Sequence, residues 1–307
     1  MAAQGVAVVG SFVVGLTLRA DRFPVAGETA LARDFDLGPG GKGSNQAVQI
    51  ARLGTAVDFI GVIGDDDFGK IGSALFAEEG VGTEHLEITT ERNTGVGFII
   101  LDASGDNRIL LDPGSNDLFT PERVRAASPA IAEANVVMAQ LEIPAETARE
   151  GLAIGKQTGC MTILNPAPAR ELPPDTYGYV DILTPNQSEA RALLGLAPDD
   201  PTDDMDLCAR LLALDVGTVV LTRGERGAVI VTAEGMIEVP AFRVEVTDST
   251  GAGDAFNGAL ASALAEGRPL EEGVRRGAAA GALACTKLGV IPALPNADEL
   301  ERLLVAP

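Results

Sequence analysis

Short apolar runs rich in β-branched residues alternate with helical patterns along most of this 307-residue chain. That alternation restricts the fold more than any other feature. The runs predict strands at residues 6–9, 59–62, 136–139, 162–164, 182–183, 219–222 and 228–231. The helical patterns fall at 44–53, 68–79, 145–158, 187–194, 206–214, 252–265 and 271–288. Strand, helix, strand order requires crossover connections, which put helices on both faces of a parallel sheet. The expected class is therefore α/β, a central mostly parallel sheet flanked by helices. Residues 12–37 and 94–112 break the rhythm. In the second stretch, residues 97–101 and 107–111 flank the turn Asp102-Ala-Ser-Gly-Asp106. Both stretches are expected to form a small antiparallel β lid on a single domain spanning 1–307. No repeat or low-complexity tract is present, and the Pro/Asp-rich residues 197–204 read as a surface loop.

Composition removes several classes of function. A formal net charge of −21 repels polyanions, which argues against nucleic acid or an anionic membrane surface as a partner. With one histidine, His85, no mechanism or metal site needing two is possible within one chain. Chemistry must then rest on carboxylates, lysine, arginine or backbone amides. The three cysteines, Cys160, Cys208 and Cys285, form no CxxC and suit free, packed thiols in a reducing compartment, so a cytoplasmic location is expected. The apolar residues 6–18 have no basic residue before them and are interrupted by Gly10, Ser11 and Gly15, which suits a buried strand better than a signal peptide. No stretch approaches the ~20 apolar residues that span a bilayer.

Two glycine-rich segments carry the functional signal. Gly38-Pro-Gly-Gly-Lys-Gly-Ser-Asn-Gln46 leads into a helical pattern. It is not a Walker A loop, because Gly43 replaces the hydroxyl residue after Lys42. Small residues around Lys42 let backbone approach a ligand, and Asn45 in a first helical turn offers both a donor and an acceptor, a pairing that suits polyhydroxylated ligands. Asp248-Ser-Thr-Gly-Ala-Gly-Asp-Ala-Phe-Asn-Gly258 opens a second helix. Phe256 stands where a dinucleotide fingerprint needs glycine, which weakens a hydride-transfer reading. Gly251, Ala252 and Gly253 instead place bare backbone N–H groups at a helix start, where an anion can be held without a basic side chain. Asp254 in the same turn can accept a hydrogen bond or a proton from an alcohol. Taken singly, the first segment could equally be a tight turn with a capped helix, and the second an ordinary helix-starting aspartate.

Together these segments resemble the two signature regions of the ribokinase-like (PfkB) carbohydrate kinase family. Residues 64–67 (GDDD), 94–96 (TGV), 140–142 (QLE), 165–170 (NPAPAR), 184–189 (TPNQSE) and 221–227 (LTRGERG) resemble further segments of that family in the same order. The resemblance implies a ribokinase-like fold and an ATP-dependent sugar kinase acting on a hydroxymethyl group. It implies that Asp254 is the base, with Gly251, Ala252 and Gly253 forming the anion hole. Gly41, Lys42, Asn45 and Glu142 would contact the sugar. Asn186 and Glu189 would organise Mg2+, water and phosphate, while Thr222, Arg223, Gly224 and Gly227 would line the nucleotide cleft. Asp248, the Thr250 carbonyl and the loop at Gly289 resemble a monovalent cation site, expected to take K+. A homodimer through the lid is also implied.

Two departures bear on the substrate. Val13 and Gly15 occupy positions where the family's ribose-specific pattern has an asparagine and an aspartate, so both polar contacts to sugar hydroxyls are missing. On the nucleotide side, Ala278 stands where that pattern has an asparagine, which leaves base selectivity open. Ala293 lies near the cation loop, where the family can supply a serine. The alternatives are a nucleoside kinase of the same family and a non-catalytic sugar or nucleotide sensor of the same fold.

Overall fold

The structure is a computed structural model that describes residues 5–103 and 107–306. Its strands are β1 (Val6–Val9), β2 (Val13–Arg19), β3 (Arg33–Gly40), β4 (Val57–Gly64), β5 (Leu86–Thr89), β6 (Gly95–Leu101), β7 (Asn107–Asp112), β8 (Val136–Ala139), β9 (Met161–Leu164), β10 (Ile182–Leu183), β11 (Thr218–Thr222), β12 (Ala228–Thr232) and β13 (Gly235–Val239). The helices are α1 (Lys42–Arg52), α2 (Asp67–Glu79), α3 (Pro121–Ala126), α4 (Ser128–Glu133), α5 (Ala145–Thr158), α6 (Gln187–Leu193), α7 (Asp204–Leu212), α8 (Ala252–Ala265), α9 (Leu270–Ala284) and α10 (Ala297–Leu304). Nine strands form the main sheet in the order β13-β12-β11-β10-β9-β8-β1-β4-β5. From β11 to β5 every neighbouring pair is parallel, and β12 and β13 extend one edge antiparallel.

Both faces of this sheet are covered, and period-two alternation shows why. Val6 and Val8 of β1 pack into one core with α1, α2, α8, α9 and α10. Ala7 and Val9, pointing the other way, pack into a second core with α3, α4, α5, α6 and α7. The apolar run from residue 6 to 18 serves two strands, since the chain leaves the main sheet after Val9 and enters the small sheet at Val13.

The small sheet has the order β3-β2-β6-β7. Its outer pairs are antiparallel, as expected, but the central pair β2 and β6 runs parallel. The reason is topological: β2 follows β1 and β6 follows β5, two strands that run the same way in the main sheet. The first stretch also reaches further than expected, because β3 continues to Gly40. Strands β6 and β7 pair from Val96 with Asp112 to Leu101 with Asn107. Residues 104–106 of the expected turn between them lie outside the described residues. Helix α9 stops at Ala284 rather than 288, because the carbonyl of Cys285 accepts the Thr247 and Asp248 amides. Among the described residues, no helix is long and apolar enough to cross a membrane.

Candidate active site

Ligands of open parallel sheets sit beyond the carboxyl ends of the strands, and the two glycine-rich segments meet there. Helix α1 starts at Lys42 with Gly41 as its N-cap. Gly41 has φ +96°, and an added Cβ would lie 2.9 Å from the Val13 amide nitrogen, so a turn this tight against β2 admits no side chain. Gly43 is packed on the backbone of Gly10 and Ser11, a backbone-to-backbone approach rather than a ligand contact. Glu142, just beyond β8, closes the start of α1: its Oε2 accepts from the Lys42 amide at 2.8 Å and from the Ser11 hydroxyl at 2.6 Å. A carboxylate at that point is favoured by the helix dipole.

Helix α8 starts at Ala252 behind Gly251, which has φ +80° and touches Val290 where a Cβ would stand. No side chain caps this helix. The Ala252 amide bonds weakly to the Ser249 carbonyl at 3.3 Å, whereas Gly253 and Asp254 in the first turn have no intrahelical acceptor for their N–H groups. A side chain at Gly253 would meet nothing within 4 Å, so this residue borders open space.

Asp254 is buried, with 5% exposure, and its carboxylate is gripped from α1. Asn45 Nδ2 donates to Oδ2 at 2.8 Å and Gln46 Nε2 donates to Oδ1 at 3.0 Å. The Asn45 Oδ1 is buried without a partner, an acceptor beside the carboxylate that a ligand hydroxyl can fill.

A cavity of about 200 Å³ opens beside Asp254. It is lined by Lys42, Asn165, Ala167, Thr184, Asn186, Glu189, Thr222, Gly251, Gly253, Asp254 and Asn257. Burial pushes the Lys42 ammonium down, but the charges of Asp254, Glu142 and Glu189 together outweigh it and leave its pKa raised. Lys42 therefore stays charged. Burial raises the Glu189 carboxyl, with the Asn186 amide and Lys42 acting the other way. Asn186 and Glu189 form a reciprocal capping box on α6, each side chain holding the other's amide at 2.8 Å. The capping role and the cavity-lining role are thus both present.

Thr222 reaches the cavity, but Arg223 does not. The Arg223 guanidinium is directed to Glu238 at 3.1 Å and lies 4.0 Å from Asp204. Gly224 and Gly227 shape the β11 to β12 turn, closed by hydrogen bonds from Gly227 N–H to the Gly224 carbonyl and from Arg223 N–H to the Gly227 carbonyl. Asp248 ties two loops together: Oδ1 accepts from the Thr250 amide and hydroxyl at 2.9 and 2.7 Å, and Oδ2 from the Gly289 amide at 3.2 Å.

A larger groove of about 610 Å³, lined by Gln187, Arg191, Pro201, Thr202, Asp203, Asp204, Met205 and Arg226, contains none of the glycine-loop residues. Its cations are committed, Arg191 to three backbone carbonyls and Arg226 to Asp204 at 3.1 Å. Cys208 is packed in the core, and burial pushes its thiol up to about 12. His85 lies in the connection into β5, away from the cavity.

Sequence reasoning missed Gln46, Gln140, Asn165, Thr184 and Asn257. Asn165 Nδ2 donates to the Thr184 carbonyl, the Thr184 hydroxyl to Asn257 Oδ1 at 2.6 Å, and Asn257 Nδ2 to the Gly253 carbonyl at 2.8 Å. The available signal was weak: each polar residue stands within or just after an apolar strand, or one step along a helix from a residue already singled out.

Comparison with known proteins agrees with this geometry. The profile described as pfkB family carbohydrate kinase matches residues 3–297. Ribokinase of Bacillus subtilis is 37% identical over 301 residues, covering 98% of this chain and 99% of that protein. Deoxyribokinase of Salmonella typhi is 33% identical over 301 residues, covering 97% and 98%. Among solved structures, Arabidopsis thaliana ribokinase complexed with ribose and ATP superposes with a TM-score of 0.93 at 29% identity, covering 99% of each chain. A profile match over nearly the whole length, full-length relatives and a shared architecture all point one way: this chain belongs to the pfkB family of carbohydrate kinases, phosphotransferases with an alcohol acceptor.

Proposed function

We propose that this protein transfers the γ-phosphoryl group of ATP to the hydroxymethyl oxygen of a sugar or sugar-like alcohol. The observation that carries the reading is Asp254, a buried carboxylate held by two amide donors in the first turn of α8, beside N–H groups that no side chain caps. A carboxylate with a reference pKa near 3.9 cannot deprotonate an alcohol outright. Its value is to orient the hydroxyl and collect the proton as the new P–O bond forms. The Gly253 and Asp254 amides, with Ala252, would stabilise charge on the transferring oxygens. Lys42, charged and facing the cavity, would neutralise the same charge, while Asn45 and Glu142 would orient the alcohol. Asn186, Glu189 and Thr222 would line the nucleotide side.

Among the described residues, no three His, Cys, Asp or Glu side chains gather as a metal centre. A Mg2+ ion would therefore be held chiefly by phosphate oxygens, with Glu189, a carboxylate lining the cavity, as a candidate protein ligand. Bound there, it would neutralise phosphate charge. Asp248, the Thr250 carbonyl and the Gly289 loop supply the hard oxygen donors that suit a monovalent cation such as K+.

The far end of the alcohol would differ from ribose. Val14 and Leu16 of β2 face the core, so Val13 and Gly15 point to the opposite face. There Gly15 stands opposite Gly38 on one side and Gly97 on the other, so these three cross-strand positions carry no side chain. The small sheet would act as a lid over this end. Its exposed Phe35, Ile109 and Leu110 and unpaired outer strands support a homodimer through the same sheet. Free, packed thiols support a cytoplasmic location.

The test is ADP release from ATP, with Mg2+ and K+ present, across ribose, 2-deoxyribose, hexoses, sugar acids and nucleosides. Turnover of at least one sugar is expected. Binding without turnover would replace this reading with a non-catalytic sensor.

A further inference from the structure

We propose that Gln46 is a positioning residue for the Asp254 carboxylate, held in its donating orientation by Asn165 and Gln140. The inference rests on reading Asp254 as the base. Gln46 is fully buried on α1, one residue beyond Asn45. Its Nε2 donates to Asp254 Oδ1 at 3.0 Å and to Asn165 Oδ1 at 3.1 Å, and its Oε1 accepts from Gln140 Nε2 at 2.6 Å.

The orientation of each amide follows from one fixed point. The Thr184 carbonyl can only accept, so the Asn165 group facing it is the NH2 and Asn165 Oδ1 must face Gln46. Gln46 then has to present its NH2, whose two hydrogens serve Asn165 and Asp254. Its carbonyl is turned to Gln140, which must in turn donate. Gln140 keeps this orientation although its own Oε1 is buried without a partner, because a flipped amide would set two acceptor oxygens against each other. Gln46 can therefore only donate to Asp254. With Asn45 on the other oxygen, the carboxylate plane is fixed from both sides by two adjacent residues of one helix.

Two consequences separate positioning from simple packing. A donor to the ionised carboxylate favours that form, so its removal makes the group easier to protonate and moves the acid limb of the pH–rate profile to higher pH. Loss of a fixed plane lowers kcat while leaving the sugar KM nearly unchanged, since Asn45, Lys42 and Glu142 remain.

Gln46→Met keeps the volume and removes the amide. The expected result is a fall in kcat of about tenfold to 100-fold, the scale of misplacing a reacting group by ~1 Å. The acid limb should move up, and a crystal structure should show the Asp254 carboxylate rotated or spread over more than one rotamer. An unmoved acid limb, or a single unchanged Asp254 rotamer, would overturn the proposal. If Gln46→Met does not fold, Gln46→Glu, which keeps the shape and sets an acceptor against Asp254 Oδ1 in place of the donor, is read the same way: an acid limb moved to higher pH supports the proposal and an unmoved one overturns it. The crystallographic readout needs no turnover, so it decides the positioning role even if the wild type phosphorylates no alcohol, a result that would remove the kinase reading by itself.

Discussion

The amide of Asn45 donates to the carboxylate of Asp254 at 2.8 Å, joining residues 209 positions apart in the chain. This bond makes one site of two glycine-rich segments, and it joins the starts of two helices that pack side by side. Each helix supplies what the other lacks. From α1 come the cation and the amide donors; from α8 come the carboxylate and the uncapped N–H groups.

Asp254→Asn removes the proton acceptor while keeping the shape of the side chain. Phosphoryl transfer should fall by at least ~100-fold, the usual scale of a general acid-base contribution, with nucleotide affinity and melting temperature close to wild type. ADP release and calorimetric titration measure the two parts. Near-wild-type turnover would take Asp254 out of the base role.

Glu142→Ala breaks the carboxylate contacts to the Lys42 amide and the Ser11 hydroxyl. A hydrogen bond to a charged group is worth about 1.5–3 kcal/mol, so urea unfolding should show a loss of roughly that size. The sugar KM should rise as well, because the start of α1 carries Lys42 and Asn45. An unchanged unfolding midpoint would mean that water replaces the carboxylate at no cost.

Asp248 links pH, ions and stability. Burial alone would raise its carboxyl, but hydrogen bonds from the Thr250 hydroxyl and amide and from the Gly289 amide outweigh that and hold it below the usual range. A carboxyl depressed in the folded state contributes stability above its unfolded pKa, about 3.9, and loses it as pH falls through the lower folded value. Asp248→Asn should therefore cost roughly 1 kcal/mol at neutral pH and flatten the decline in stability below about pH 4. The same variant should lose activation by K+ over Na+. Equal wild-type rates with K+, Na+ and no monovalent cation would discard the cation site.

Val13→Asn combined with Gly15→Asp places polar groups on the bare row of the small sheet. Ribose should improve against the native substrate by roughly 10-fold or more, since each buried hydrogen bond is worth on the order of 1 kcal/mol and one to a charged group more. If the unmodified protein already prefers ribose over every other sugar tested, other residues supply the contacts.

Light scattering at micromolar concentration should give about twice the 31.6 kDa chain mass, and Leu110→Asp should shift the protein toward monomer. A mass of one chain for the wild type would rule out the dimer through the small sheet.

The sequence alone determined the layered α/β architecture, because strand and helix periodicities are local and repeat along the chain. Val6–Val9, Val136–Ala139, Ala145–Thr158 and Ala252–Ala265 begin and end where apolar patterning and turn residues put them. It also determined which glycine-rich segments matter, since a lysine or an aspartate inside such a run is a local pattern. Only the tertiary structure decided the rest. The edge strands Leu86–Thr89 and Gly235–Val239 are too short or too exposed to show a clear period, and packing against longer elements defines them. The parallel pairing of β2 with β6 follows from the direction of two main-sheet strands. Gln46, Gln140 and Asn165 gather around Asp254 from three separate parts of the chain. A buried polar side chain has no periodicity of its own, and its partner is fixed only when the helices and strand ends that carry both are brought together.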